Sequence, residues 1–314
     1  MSVRLKHWLR LMFCATLSGV VGAAGLIAPS GTVLAQTPLV GFAVSNTDSA
    51  RKLYRIDFAT GEATAIGPTG TSKVEGLALS SSGDLFAVNP ATSQLLKCST
   101  ETGACTVVGT LTGVAPSLTG NAGLAFAADG MLYVGLNAAL FRVDPATGAA
   151  TFVGNTGGAI GGLAGIAPQA NCPSGLYALG SNTDRGKLFC VSTVNGTLTS
   201  LTTFAGFSPV DGGLDGLPDG SVLYGVADMG SAGSQIFRVA ADKLIPEQVI
   251  RITVGGSELT GLESLAIRRG GSTGPASSDP HAVPIGGALP ISALAVALAA
   301  LVGMVGRTRR HPGR

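Results

Sequence analysis

A chain of 314 residues is long enough for one large domain or two small ones, and its 12% of charged residues is about half the usual share. Three of the 20 bases (Arg4, Lys6, Arg10) lie in residues 1–35 and four in residues 307–314, while all 18 acids fall between, so the central part is mildly acidic. That balance excludes nucleic-acid binding through a basic surface.

The basic start precedes an apolar stretch from Leu11 to Ala28, and Val33, Leu34 and Ala35 place small residues where a signal peptidase inspects them. Residues 1–35 are therefore expected to be a signal peptide cleaved after Ala35. The alternative is an uncleaved membrane helix, against which Pro29, Ser30 and Gly31 end the apolar run. Cys14 makes a poor lipidation site, because bulky Phe13 precedes it at the start of that run. Without the leader, Cys98, Cys105, Cys172 and Cys190 remain. An even number in an exported chain points to two disulfides. Local geometry favours Cys98–Cys105 and Cys172–Cys190, each pair flanking one hairpin turn or strand pair. Free buried thiols are the alternative. Without a Cys-x-x-Cys spacing or a nearby histidine, a metal site is disfavoured.

From residue 38 the chain repeats itself. The string LYRIDFATG at 53–61 recurs as LFRVDPATG at 140–148, with weaker copies at 95–103 and 188–196 and a degraded fifth beginning at Ile236. The starts step by 42, 45, 48 and 48 residues, the period of a four-stranded propeller blade. After each Gly turn comes a short strand such as ATAIG at 63–67. Next comes a Gly-Leu-Ala strand at 76–79, 123–126, 162–165, 213–215 or 264–267. A Gly turn and an aromatic strand complete the unit, as in DLFAVN at 84–89. These short apolar runs punctuated by Gly, Asn and Asp are strand-and-turn grammar. In the Asp-x-x-Thr-Gly turn, an Asp at the strand end accepts from turn amides and Gly supplies positive φ. Asp57 and Asp144 are thereby explained without a ligand role. Small residues in the Gly-Leu-Ala strands suit a crowded axis.

The array begins with an aromatic strand at 39–45 and ends with an unaccompanied Gly-Leu-Ala strand at 262–267. Together they complete one blade, which closes the ring and removes an open edge. The fold expected for residues 36–270 is all-β, a five-bladed propeller closed by joining its N- and C-terminal strands; an open β sandwich is the alternative. The chain thus resembles five-bladed propellers, and the LYRID-x-x-TG phrasing resembles repeat-bearing bacterial surface propellers of unassigned function. That resemblance rests on structural motifs and implies no catalytic residue.

After Arg269 the composition changes. Residues 271–284 read as a Gly/Ser/Pro-rich linker. Residues 285–306, from Ile285 through Pro290, are uncharged and mostly apolar, long enough to span a bilayer as a helix. Arg307, Arg309 and Arg310 open a basic tail at 307–314, expected to stay cytoplasmic and leave the propeller outside. A short Pro-containing motif, an apolar helix and a basic end together resemble bacterial exosortase-type sorting signals of the PEP-CTERM and IPTL-CTERM kind. Val283 and Pro284 match the start of such a motif, but Ile285 stands where Thr or Glu belongs. A sorting signal and a plain membrane anchor both remain open.

All three histidines, His7, His281 and His311, lie outside the repeats, which excludes a Ser-His-Asp or Cys-His site and a histidine-ligated metal within them. No phosphate-binding glycine loop is present. The sequon at Asn195 falls in a repeat turn and is discounted. One constellation remains. Glu75 and Glu263 hold equivalent positions before their Gly-Leu-Ala strands, and Asp211 and Asp215 flank the same site in another blade. Lining the axis, such carboxylates could hold calcium or act as acid and base on a glycosidic bond. The plainer expectation is that they are solvated or bond loop amides at the channel mouth, with no cofactor. The first functional expectation is therefore a non-enzymatic binding or structural module for extracellular protein or polysaccharide, tethered at a membrane or sorted to the surface. The alternative is a carbohydrate-active hydrolase or lyase using the axial carboxylates, with or without calcium.

Overall fold

The computed structural model describes residues 39–116, 121–204, 209, 211–217 and 219–268. Blade one holds β1 (Val40–Ser45), β2 (Lys52–Asp57) and β3 (Ala63–Pro68). Blade two holds β4 (Glu75–Leu79), β5 (Leu85–Asn89), β6 (Gln94–Cys98) and β7 (Cys105–Thr110). Blade three holds β8 (Ala122–Phe126), β9 (Leu132–Leu136), β10 (Ala139–Val143) and β11 (Ala150–Asn155). Blade four holds β12 (Ile160–Gly165), β13 (Leu176–Gly180), β14 (Lys187–Val191) and β15 (Leu198–Thr203). Blade five holds β16 (Asp211–Gly216), β17 (Val222–Asp228), β18 (Ser234–Ala240) and β19 (Pro246–Arg251). A small hairpin, β20 (Thr253–Val254) with β21 (Ser257–Glu258), leads to β22 (Leu262–Arg268). β22 then pairs antiparallel with β1 and completes blade one in the order β22-β1-β2-β3. The ring is the five-bladed propeller that the repeats predict, closed by the predicted strand exchange.

Burial follows distance from the axis. The inner strands β4, β12 and β22 are buried along nearly their whole length, as are the second strands. Third strands are mostly buried, with one exposed position in β6 and β10 at Lys97 and Arg142, and outer strands such as β7 and β15 have no buried position. The inner strands β4, β8, β12, β16 and β22 adjoin in sequence, and β22 meets both β16 and β4. Only small residues fit where they meet: a Cβ at Gly162 would sit 2.7 Å from the Leu214 nitrogen, and one at Gly123 2.9 Å from the Gly162 carbonyl carbon. The fifth equivalent position is Ser264, whose hydroxyl accepts the Gly76 N–H at 2.6 Å.

The apolar core is five inter-blade layers. Leu95 and Phe86 of blade two pack with Leu132 and Phe141 of blade three. Tyr54 and Ile56 of blade one pack with Val226 and Ile236 of blade five, which seals the ring. Each outer pair carries a register shift, at the same place in blades one to four, for example between Leu95 and Leu96 or Leu140 and Phe141, and one residue later in blade five, between Phe237 and Arg238. Such bulges twist an edge away from further pairing.

The repeated turns work as expected. The Asp57 carboxylate accepts the Ala59 N–H at 2.7 Å and that of Asp144 accepts the Ala146 N–H at 2.9 Å, with Gly61 and Gly148 at positive φ. Ser99 and Ser192 substitute in blades two and four. Both disulfides form in the favoured pairing: Cys98–Cys105 joins β6 to β7, and Cys172–Cys190 ties the β12–β13 connection to β14. The expected signal peptide, linker, apolar span (with Ile285 and Pro290) and basic tail (Arg307, Arg309, Arg310) lie outside the described residues. Among the described residues no helix is long and apolar enough to cross a membrane.

Candidate functional site

The two faces of the ring differ. One carries the third-to-outer turns 58–62, 99–104, 144–149, 192–197 and 241–245, with the inner-to-second turns. Four of the former share one bond, from the turn glycine N–H to the residue four before it, at 2.8 or 2.9 Å. The opposite face carries the connections that enter each inner strand: 69–74, 111–121, 156–159, 204–210 and 252–261. These differ in length and sequence from blade to blade. Inner strands begin on this face, so Glu75, Asp211 and Glu263 all lie there.

Glu75 opens β4 and is buried. Its Oε1 meets the Lys73 ammonium at 2.8 Å and its Oε2 accepts the Ala122 N–H at 2.8 Å, bridging blade two to blade three. Burial still holds its carboxyl above the ordinary range, opposed by Lys73 and the Ala122 amide. Glu263 lies on β22 between β4 and β16, accepts from the Asn46 amide, and is also buried. Asp211 opens β16, with its Oδ1 accepting the Gly212 N–H at 2.7 Å. β16 and β22, which carry Asp211 and Glu263, adjoin across the boundary of blades five and one. Burial first pushes both above the usual carboxylate range, Asp211 to about 7 and Glu263 to about 9; Glu75 and Asp228 repel both, and Asp211 repels Glu263, against which Lys73 acts.

Asp215 does not join them. Two turns of pleat further along β16, it accepts the Ile267 N–H at 2.7 Å and the Gly216 N–H at 2.8 Å. It is a strap from blade five to the closing strand. The sequence thus named three residues of one cluster and one structural tie. It missed Lys73, Asn46 and Asp228, whose side chains reach the cluster from connections and strand ends that do not repeat. A local bulge also escapes a linear reading: Gly76 and Ser264 both take positive φ, and the register of β4 and β22 shifts there, which turns Glu75 and Glu263 toward the mouth.

Among the described residues no three His, Cys, Asp or Glu side chains are grouped as ligands for a metal ion. Cavities of about 380, 430 and 500 Å³ open on the turn face of blades two to four, and none is lined by these carboxyls. The largest is walled by Leu79, Phe126, Ile166 and Pro168 and bears no charged side chain.

No family model and no curated protein matches the chain. Among solved structures it is similar to a chain of a nidogen/laminin complex, at 13% identity and TM-score 0.46 over 74% of this chain and 98% of that one. It is also similar to TolB from Acinetobacter baumannii, at 12% and 0.42 over 73% and 66%. Hydrazine synthase of Kuenenia stuttgartiensis matches at 18% and 0.40 over 58% of this chain and 51% of its own. This chain therefore spans about half of the last and just under two thirds of TolB. Likeness at this level carries no functional argument.

Proposed function

We propose that this protein is an exported five-bladed propeller, held at a membrane or sorted to the cell surface by its C-terminal segment, that binds extracellular protein or polysaccharide. The observation that carries the reading is the difference between the faces. Four of the five third-to-outer turns on one side repeat one hydrogen bond and serve the fold, whereas the connections entering the inner strands on the other differ from blade to blade and are free to specify a partner on a rigid scaffold. The two disulfides suit an oxidising compartment.

The alternative, a hydrolase or lyase with calcium or without, draws on the raised carboxyl pair, since a general acid needs a raised pKa. Against it, Glu75 is held by Lys73 and the Ala122 amide, and none of the three cavities described above is lined by these carboxyls. The binding reading is tested by capture from a panel of surface polysaccharides and proteins. Replacing the 252–261 or 69–74 connection by a Gly/Ser stretch is expected to abolish capture, and changes in the turns at 99–104 or 144–149 to spare it. The reverse pattern, or activity on the panel lost in Glu263→Gln, overturns it. Intact mass and C-terminal peptide mapping of the native protein separate anchor from sorting signal. Retention of Arg307 to Arg314 in the membrane fraction means an anchor. Truncation near Pro284 means sorting.

A further inference from the structure

The inner strands give the ring a direction. β4, β8, β12, β16 and β22 all run from the mouth with the uneven connections to the mouth with the repeated turns. β22 is the last of them, and its pairing with β1 sets Arg268 opposite Val40, so both ends of the propeller leave by the turn face. The exit is held in place. Leu262 to Ile267 are buried, and β22 sits between β16 and β4. The Arg268 guanidinium lies 5.4 Å from the centre of the Phe42 ring and donates to the Thr100 hydroxyl of the 99–104 turn at 3.4 Å. The Leu39 carbonyl accepts the Phe58 N–H of the 58–62 turn at 3.1 Å. Chain continuity therefore starts residue 269 at the turn face, beside the innermost strands. The same mouth carries the largest cavity, walled by the ends of β4, β8 and β12 at Leu79, Phe126 and Gly165.

We propose that the propeller is displayed with its turn face toward the membrane that holds its C-terminal segment, and with the connections 69–74, 156–159 and 252–261 turned outward to meet the partner. This inference rests on the tethered reading above and adds the side from which a partner approaches. The 16 residues 269–284 separate Arg268 from the apolar segment. A Gly/Ser/Pro-rich stretch of that length has a root-mean-square span of about 20–24 Å. To bring the other mouth to the lipid, that stretch must cross a blade of four strands from axis to rim, about 20 Å, and then follow the rim for about another 20 Å. The path is about twice the relaxed span and approaches the fully extended length of about 55 Å. Inversion thus stretches the linker, and stretching costs chain entropy, whereas the turn-face arrangement leaves it relaxed. The cavities described above then lie on the membrane side, and the outward face offers a macromolecule its connections.

The test is energy transfer on the chain retaining Arg314, in phosphatidylcholine vesicles with an acceptor on the lipid headgroups. A donor is attached at Ala128→Cys, exposed in the 127–131 turn, or at Ser72→Cys, exposed in the 69–74 connection. Should either variant fail to fold, Ser82→Cys and Ser49→Cys, also exposed, mark the same two faces. Five residues of strand set the mouths about 17 Å apart, and transfer from 128 is expected to be at least about twice that from 72. Doubling the 269–284 stretch with Gly/Ser is expected to bring the ratio toward one. Equal or reversed transfer in protein that floats with the vesicles, or a ratio indifferent to linker length, overturns the orientation and leaves the tether standing. Protein that does not float with the vesicles overturns the tether and the orientation together.

Discussion

Gly109 ends the β7 repeat with its Cα against blade three, where an added Cβ would overlap the Thr147 carbonyl oxygen. Gly67 and Gly154 meet Thr102 and Asn195 of their next blades in the same way. The glycine of each strand thus meets the glycine turn of its neighbour, backbone on backbone. Gly109 is not among the positive-φ glycines, so its cost on substitution is packing rather than backbone strain. Gly109→Ala is expected to destabilise by about 1–3 kcal/mol in urea unfolding. Val107→Ala, exposed on the same strand, should stay within about 0.5 kcal/mol. Similar costs at both positions would refute the interlock. Glu75 and Asp215 belong at this scale too. Each accepts an inner-strand amide of the neighbouring blade, and that use of a carboxylate is invisible without the neighbour's backbone.

The strands show why a four-stranded unit repeats at all. An inner strand such as β4 has neighbours on both flanks and is buried throughout, while an outer strand such as β7 has no buried position and carries a bulge. The disulfides reinforce weak places in this scheme. Cys172 holds the 166–175 connection, which is longer than its counterparts 80–84 and 127–131, against β14. The loop it closes spans 18 residues against 7 for Cys98–Cys105. On the chain-entropy account the former stabilises by about 3 kcal/mol and the latter by about 2. Paired Cys→Ser replacement at 172 and 190 is therefore expected to lower the unfolding midpoint more than replacement at 98 and 105. Equal loss would indicate that native-state packing around the bridges dominates.

Closure governs the molecule as a whole. The layer between blades five and one contains Leu262, Leu265 and Ile267 from β22, and none of it can form without that strand. A chain ending at residue 261 would expose that layer and the edge of β1. It is expected to lose cooperative unfolding and to self-associate by light scattering, whereas a chain ending after Arg268 remains monodisperse. Cooperative, monomeric behaviour of the shorter chain would show that the four complete blades are self-sufficient.

The sequence by itself determined the number of blades, the strand-and-turn order and the exchange that closes the ring, and it favoured the cysteine pairing that the structure then fixed. Each of these rests on local spacing: a period in the forties, alternation along single strands, and orphan half-blades at both ends of the array. It also placed Glu75 and Glu263 at equivalent positions, so half of the acidic cluster was legible from register alone. Only the tertiary structure decided that Asp211 joins them and Asp215 does not. That choice depends on where along the axis each inner strand enters and on bulges at Gly76 and Ser264 that turn side chains by one position.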